Sequence, residues 1–373
     1  MLIVLSEPNY FDMHLYSDDL RYEDYAKTYT EIANNILDLD AFQTTDIKFG
    51  GVTAAALYFR INAVIYYLFN SVIVLRLFNI LIASFTIFPI YFLAKELFNE
   101  KVAKISAFLY CCIPYYIIFS SFLFKDSLLM LLITLSLVQI IKFYKYKKYS
   151  VLKLVIPIIL MHWIRFGVGE LLIGIFILAL INREQKNTKN IKIIRWIITI
   201  VVIGIIMMLL LFSNYSGFLN KIEIYSDYAR DYQGPISFFR VDNIFQLYKL
   251  PFAWALSVIL PLNFDFNVNK WSDVLSLLNY LSVFILPAFL IYWFTFKKNK
   301  LQKIILYPLL LLHLFSAATV INVPRHFYFL HFFIIICSSA YLSTLKDKRK
   351  ILFIITVLLM YVLLFLLNLI LIN

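Results

Sequence analysis

The sequence is poor in charge, in glycine and in cysteine. Only 15% of its 373 residues are charged, whereas 62% are hydrophobic. A soluble chain carries about 25% charged residues, so the few charges here cannot cover the apolar surface, and an ordinary soluble enzyme is excluded. Three cysteines exclude a disulfide-stapled secreted domain, and the eight glycines form no glycine-rich phosphate-binding loop.

Long apolar runs dominate instead, and they indicate an all-α polytopic membrane protein. A membrane span needs roughly 20 mostly apolar residues. The sequence predicts about ten spans: Val72–Ala94, Val102–Phe122, Ser127–Ile141, Val151–Ile164, Val168–Ile181, Trp196–Phe212, Leu277–Phe296, Ile304–Ile321, Phe327–Leu345 and Ile351–Leu371. Arg60 and Asn62 interrupt a further apolar stretch, Val52–Phe69, where we expect an interfacial helix.

Basic residues concentrate in the loops on one side of this predicted topology. In all, 21 of the 34 Lys and Arg residues, but only 4 of the 22 acidic residues, fall in five loops: Lys95–Lys104, Lys142–Lys153, Arg183–Arg195, Lys297–Lys303 and Lys346–Lys350. That face carries a net charge of +17, and the other face, with 13 basic and 18 acidic residues, carries −5. Basic loops stay in the cytoplasm. The net charge of +12 therefore reflects membrane insertion, and no nucleic-acid partner is expected.

This topology divides the chain into four parts. Residues 1–71 form an extracytoplasmic acidic loop with interfacial helices, 72–212 form transmembrane helices, 213–276 form a large extracytoplasmic loop, and 277–373 form the C-terminal transmembrane helices. Ten of the 22 acidic residues fall in the first 50 positions, and Met1–Leu5 is too short to carry them across a membrane. We expect either translocation by the following helices or, as we favour, a further helix upstream.

The first candidate for chemistry is the acidic pair Asp18-Asp19, followed by Arg21 and Tyr22. Adjacent carboxylates repel each other, which raises the proton affinity of one of them or attracts a cation. Both outcomes suit a general base or a metal site. A solvated, acidic helix start is the alternative interpretation.

Further candidates lie at the predicted outer ends of the spans. Lys125 and Asp126 occupy a loop so short that both charges must lie at the membrane boundary, where a charge is costly unless it is paired or functional. An N-terminal acid for the next helix is the alternative role for Asp126.

Two basic pairs lie at the same predicted depth: Arg165 with His162, and Arg325 with His326. The planar fork of arginine suits phosphate oxygens, although contact with lipid headgroups explains such residues equally well. For His313 and His331, in the middle of predicted spans, we expect burial and hydrogen bonding. No His/Cys set has the spacing of a metal site.

Several short motifs follow one another in a recognisable order: Asp18-Asp19-Leu20-Arg21-Tyr22, Arg76-Leu77-Phe78-Asn79, Ala94–Phe98, Pro114 within a span, Asp126 in an outer loop, and Arg325 before a late span. On these residues the chain resembles the GT-C superfamily of membrane glycosyltransferases, in particular the aminoarabinose-transferase and protein O-mannosyltransferase branch. Asp19 stands where that branch usually has Glu, and the branch's large soluble C-terminal domain is absent from this sequence.

The resemblance implies a GT-C-like fold and an inverting transfer at the outer face of the cytoplasmic membrane. A sugar on polyprenyl phosphate or diphosphate would pass to a hydroxyl of a glycan, lipid or protein acceptor, with Asp18 as the base. Asp126 would bind the acceptor or a divalent cation, with Asp18 and Asp19 as further cation ligands. The lipid phosphate would be bound by basic residues: Arg21, Lys125, Arg325 and, on physical grounds alone, Arg165. Asp19, Tyr22 and His326 would complete the substrate site.

Three other functions stay open at this point. An O-antigen or capsule polymerase or ligase also uses lipid-linked sugars and typically places arginines in a large outer loop, where Arg230 and Arg240 lie. A lipid-linked oligosaccharide flippase or other transporter would place ionisable residues near the bilayer midplane. Here such residues gather at the outer boundary, with His313 and His331 the only obvious exceptions, which argues against a transporter. A scaffold without catalytic activity is the third.

Overall fold

In the computed structural model, the regular secondary structure of the described residues is helical, with no β-strand among them. The structure describes residues 17–49, 56–113, 116–117, 120–146, 151–165, 168–182, 248–249, 284–319 and 329–372. The predicted span Trp196–Phe212 and almost all of the predicted loop 213–276 lie outside these residues. The prediction of an all-α protein is confirmed for the described part.

Within the described residues, three helices precede the first predicted span: α1 (Ser17–Ile32), α2 (Leu39–Lys48) and α3 (Ala56–Phe69). α2 begins at the N-cap Asp38, whose Oδ1 accepts the Ala41 backbone N–H at 3.0 Å. α3 occupies most of the stretch in which an interfacial helix was expected. Aromatic rings join the three helices in one small core, since Tyr29 stacks on Phe42 at 4.2 Å between ring centroids.

The same three helices also share a polar contact. The Tyr25 hydroxyl donates to Asp46 Oδ1 at 2.5 Å, and Arg60 donates to Asp46 Oδ2 at 3.0 Å. Burial, together with the bond to the Asp46 carboxylate, raises the pKa of Tyr25 above its usual value. Tyr25 therefore stays protonated and acts as a donor that ties α1 to α2.

The first predicted span forms two helices, α4 (Val72–Phe85) and α5 (Ile87–Leu97), with a break at Thr86. Pro89 lies in the first turn of α5 and has no backbone N–H to offer the carbonyl four residues earlier, which favours a break there. The Thr86 hydroxyl donates to the Ile82 carbonyl at 2.8 Å, so part of the interrupted turn is satisfied.

The next helix, α6 (Glu100–Cys112), is shorter than the predicted span Val102–Phe122. Ile113, its C-cap, is extended with ψ near 117°. A residue that precedes proline is forced out of the helical region, and Pro114 follows. The predicted span Val102–Phe122 is therefore not one continuous helix: helical residues recur at 116–117 and 120, and Ser121–Phe124 is a non-helical loop that leads into α7 (Lys125–Tyr146).

The other helices that the structure describes overlap the remaining predicted spans in the described part. They are α8 (Val151–Ile164), α9 (Val168–Asn182), α10 (Ile285–Thr295), α11 (Lys300–Thr319), α12 (His331–Thr344) and α13 (Asp347–Ile372). α5 to α12 share one apolar core. Gly169 lies where α9 crosses α8, and a Cβ atom there would come within 2.8 Å of the Ile158 carbonyl oxygen. Its missing side chain lets the two backbones approach.

In the part of the chain that the structure describes, two helical segments are long and apolar enough to cross a membrane, judged by length and composition. They are Val72–Leu97, which comprises α4 and α5, and Lys125–Tyr146. The other apolar helices that pass the composition test are shorter than 18 residues within the described part. These findings agree with a membrane protein, while the number of ten spans remains a prediction.

The helix ends gather at two poles, which we call the Lys145 end and the Asp126 end. At the Lys145 end, Lys145 contacts Glu96 Oε2 at 3.1 Å, Lys101 donates to the Ser343 carbonyl at 2.7 Å, and Gln302 donates to the Leu97 carbonyl at 2.9 Å. Four of the five basic loops thus border this end, and Arg183–Arg195 lies outside the described residues. The Asp126 end carries most of the predicted site residues.

Candidate functional site

A buried ion pair connects the first helix to the first candidate span at the Asp126 end. Arg76, on α4, donates to Asp19 Oδ2 at 3.1 Å, and both side chains are at least 96% buried. Asp19 Oδ1 accepts the Leu123 backbone N–H at 2.6 Å. A buried charge is tolerated when it is paired and hydrogen-bonded. Through these two contacts, Asp19 connects α1 to α4 and to the loop before α7.

The amide of Asn79, one turn along α4 from Arg76, holds the same loop. It donates to the carbonyls of Ser120, at 3.3 Å, and Phe122. The Tyr58 hydroxyl donates to Asn79 Oδ1 at 3.4 Å, and Tyr58 interacts electrostatically with both Asp19 and Asp126. The Arg-x-x-Asn segment therefore positions the loop that leads to Asp126.

A second ion pair lies at the start of α7. Arg165, at the end of α8, donates to Asp126 Oδ1 at 3.3 Å, and its guanidinium lies 4.6 Å from the centre of the Phe329 ring. The Asp126 side chain is 5% exposed, whereas that of Arg165 is 24% exposed. The Asp126 carboxylate is thus buried. The Arg165 guanidinium is held by Asp126 and by the Phe329 ring and is still partly exposed. Asp126 also lies in the first helical turn, where the helix dipole favours a negative charge.

A histidine–carboxylate pair lies on the neighbouring hairpin of α8 and α9. His162 Nδ1 is 2.6 Å from Glu170 Oε1, and the two residues face each other where Gly169 brings the helices together. The His162 side chain is 42% exposed and that of Glu170 only 10%. The His162 imidazole is therefore partly exposed, and the Glu170 carboxylate that contacts it is largely buried.

The other residues predicted at the first acidic segment have different surroundings. Asp18 lies in the first turn of α1, and its side chain is outside the described set. Arg21 is exposed and donates to the Phe49 carbonyl at 2.8 Å. Tyr22 is buried and packs on Phe59, with ring centroids 4.4 Å apart. Arg21 and Tyr22 thus contact the α1–α3 core in this structure.

Three further predictions concern residues at or near the Asp126 end. Lys125 is the first residue of α7 and is partly exposed beside Asp126. Arg325 and His326 lie outside the described residues, as do Arg230 and Arg240. Among the described side chains, which do not include that of Asp18, no group of three His, Cys, Asp or Glu residues is arranged to hold a metal ion.

The two histidines of the predicted spans lie side by side. The rings of His313 and His331 stack with their centroids 5.3 Å apart, and His313 is fully buried. The expectation of burial is thus confirmed for His313.

The sequence did not reveal the His162–Glu170 pair. Glu170 lies three positions into the predicted span Val168–Ile181, and an ionisable residue inside a span is itself a signal of function. That signal points to Glu170, but its contact with His162 follows only from the geometry of the α8–α9 hairpin.

Taken together, the Asp126 end has an enclosed acid in contact with a partly exposed arginine, and a partly exposed imidazole lies three residues before that arginine. Such a set can bind an anion and can hold a hydroxyl beside a carboxylate. The chain matches no protein-family model, and comparisons with curated proteins and with solved structures also give no match.

Proposed function

We propose that this protein is an inverting glycosyltransferase of the cytoplasmic membrane, in agreement with the GT-C resemblance. The donor is a sugar carried on polyprenyl phosphate or diphosphate, and the acceptor is a hydroxyl group in cell-envelope glycan, glycolipid or glycoprotein synthesis. In this proposal the chain has about ten spans, and the Asp126 end faces outward.

The contact between Asp126 and Arg165 carries the proposal. The hydrogen bond of 3.3 Å to Asp126 holds the guanidinium at the Asp126 end, while about a quarter of the Arg165 side chain stays exposed. A departing phosphate needs positive charge fixed in advance where its negative charge develops. An arginine that an enclosed carboxylate and an aromatic ring hold in place meets this requirement without reorganisation during the reaction.

The two ends of the helices support the orientation. Basic loops border the Lys145 end, and the positive-inside rule assigns such loops to the cytoplasm. The Asp126 end then faces the outer leaflet, in which a polyprenyl-linked donor presents its phosphate at the depth of the helix ends.

The remaining roles come from the resemblance and from charge. Asp18 takes the proton of the acceptor hydroxyl, on the face of the sugar opposite the leaving phosphate, as inversion requires. Lys125 and Arg325 add positive charge for the phosphate. Asp19 contributes indirectly, because its pair with Arg76 holds the Asp126 loop. A divalent cation between the acidic side chains is compatible with this scheme but is not required by it.

The direct test incubates the purified, reconstituted protein with undecaprenyl-phosphate-linked hexoses and pentoses and with envelope extract as acceptor. Mass spectrometry would follow undecaprenyl phosphate and glycosylated product. We expect release of undecaprenyl phosphate only when both substrates are present. The Arg165→Met variant should lose about 100-fold or more of this activity.

A matched control is available in Arg60, which pairs with Asp46 in an exposed position. Arg60→Met should keep most of the activity. If the wild-type protein neither binds nor consumes any of the lipid-linked donors, or if Arg165→Met is as active as Arg60→Met, the proposal is wrong.

A transporter of lipid-linked sugars is the second candidate, and the stacked His313–His331 pair is the observation in its favour. Ionisable residues within a helix bundle are typical of transport pathways. A flippase would move an intact fluorescent lipid-linked sugar between leaflets of a proteoliposome without cleaving it, whereas a transferase would release the lipid phosphate.

A further inference from the structure

The His162–Glu170 pair has the geometry of an oriented imidazole. A carboxylate oxygen 2.6 Å from Nδ1 favours a hydrogen on that nitrogen, because an ionised carboxylate only accepts hydrogen bonds. The contact at Nδ1 fixes the orientation of a ring whose side chain is 42% exposed. The second ring nitrogen of a histidine is commonly set in this way by the bond that the first one makes.

The hairpin is built to hold this arrangement. The close crossing at Gly169 brings Glu170 under the end of α8, and the Glu170 side chain is nine-tenths buried. Glu170 Oε2 is also buried and accepts no hydrogen bond from the described part of the chain. A buried carboxylate is tolerated when it is hydrogen-bonded, and the imidazole at 2.6 Å supplies that partner.

The position of the pair points to a ligand at the membrane boundary. His162 lies three residues before Arg165, whose backbone N–H still bonds to the Met161 carbonyl at 2.7 Å, so both residues belong to the last turn of α8. Residues three apart on a helix share a face. Trp163 beside them is 59% exposed, and tryptophan is typical of the membrane–water interface.

We propose that His162, held by Glu170, binds the polyprenyl phosphate next to Arg165 as a doubly protonated ring, in which both nitrogens are donors: Nδ1 donates to Glu170, and Nε2 donates to a non-bridging phosphate oxygen. This inference rests on the proposed function and deepens it. In the transfer, the acceptor oxygen forms a bond to the anomeric carbon and its proton passes to Asp18. The bond between that carbon and the phosphate oxygen breaks, and its electron pair stays on the phosphate, where His162 stabilises the added charge. Glu170 is a positioning residue.

The test measures undecaprenyl phosphate binding to the full-length protein in nanodiscs by native mass spectrometry. We expect His162→Ala to weaken binding about tenfold or more, as for the loss of a charge-assisted hydrogen bond, and His162→Gln to retain part of it. Glu170→Ala should weaken binding less, and the double variant should be no weaker than His162→Ala alone. Glu23→Gln, which breaks only the Lys27–Glu23 surface pair, is the control.

Chemical modification of the wild-type protein keeps the proposal testable if a variant does not fold. Diethyl pyrocarbonate should modify His162 but not the buried His313, and undecaprenyl phosphate should protect His162. Protection by millimolar inorganic phosphate alone would assign the site to free phosphate and would contradict a lipid ligand.

The outcomes separate the two proposals. If wild-type protein transfers sugar while His162→Ala binds undecaprenyl phosphate as well as Glu23→Gln does, this inference is wrong and the proposed function stands. If wild-type protein neither binds undecaprenyl phosphate nor shows turnover, both are wrong.

Discussion

Arg76 and Asp19 form an ion pair across 57 positions of the sequence, with 3.1 Å between Arg76 Nη2 and Asp19 Oδ2 and almost no exposure of either side chain. The pair fastens the amphipathic helix α1 to α4. Through Leu123, it also fixes the loop that ends at Asp126. One member of the acidic pair is therefore structural, which leaves Asp18 as the acid of that pair for chemistry.

Removal of one partner of this pair should strongly destabilise the fold. Arg76→Met leaves Asp19 buried without its cation, and such a loss costs about 3–5 kcal/mol. Lys27→Met, which removes a surface partner of Glu23, should cost less than about 1 kcal/mol. Thermal unfolding of the purified variants in one detergent compares them. Equal melting temperatures for Arg76→Met and wild type would contradict the buried pair.

Substitution of Asp18 should abolish transfer without loss of folding. Asp18→Asn removes the proposed base, and loss of a general base lowers the rate by about 10²–10⁴-fold. Asp24→Asn changes an exposed acid on the same helix and should have little effect. Turnover of the undecaprenyl-linked donor, with membrane insertion checked by fractionation, measures both. Full activity of Asp18→Asn would remove Asp18 from the mechanism.

Two glycines of α9 should respond in opposite ways to alanine. In Gly169→Ala the new Cβ atom meets the Ile158 carbonyl oxygen at 2.8 Å, so the helices must separate, which costs about 1–3 kcal/mol. Gly174 has open space around it, and alanine there should stabilise the helix by up to about 1 kcal/mol. The melting temperatures of the two variants, each compared with wild type, test this prediction. A Gly169→Ala variant as stable as wild type would show that the α8 and α9 backbones do not approach as closely as the 2.8 Å contact requires.

The N-cap of α2 should make a pH-dependent contribution to stability. Hydrogen bonds from the backbone N–H groups of Ala41 and then Asn34 hold the pKa of Asp38 below its usual value. Its contribution is therefore full above pH about 4 and is lost as the pH falls through the lower, folded-state pKa. Asp38→Ala should melt below wild type at pH 7, and this difference should shrink at more acidic pH. Asp38→Asn, which retains a capping oxygen, is the control. A wild-type-to-alanine difference that is the same at pH 7 and at pH 3 would contradict the cap.

Most helix boundaries were predictable because they depend on local sequence. α8 begins and ends at the predicted residues Val151 and Ile164, and α9 runs one residue past the predicted Ile181. The errors also have local causes. Proline after Ile113 ended α6 early, and Pro89 broke the first predicted span at Thr86. An apolar run is a reliable sign of helix, but it does not record where proline interrupts the backbone hydrogen bonds.

The candidate site was only partly predictable. Asp126 and Arg165 were each predicted as site residues because they are charges at the ends of spans. Nothing in the sequence indicated that they contact each other across 39 positions. Tyr22 lies in an acidic, polar segment, and its packing on Phe59 was not evident from the sequence. Its predicted contact with substrate stays a prediction. The neighbours of a side chain depend on which helices pack together.

Composition and charge distribution by themselves determined that the described chain is helical and apolar, with basic residues collected in particular loops, because these properties are sums over local sequence. Only the tertiary structure decided that Asp19 belongs to Arg76, Asp126 to Arg165 and His162 to Glu170. Each pair joins two helices, and a charge acquires its role from the partner that helix packing brings within about 4 Å.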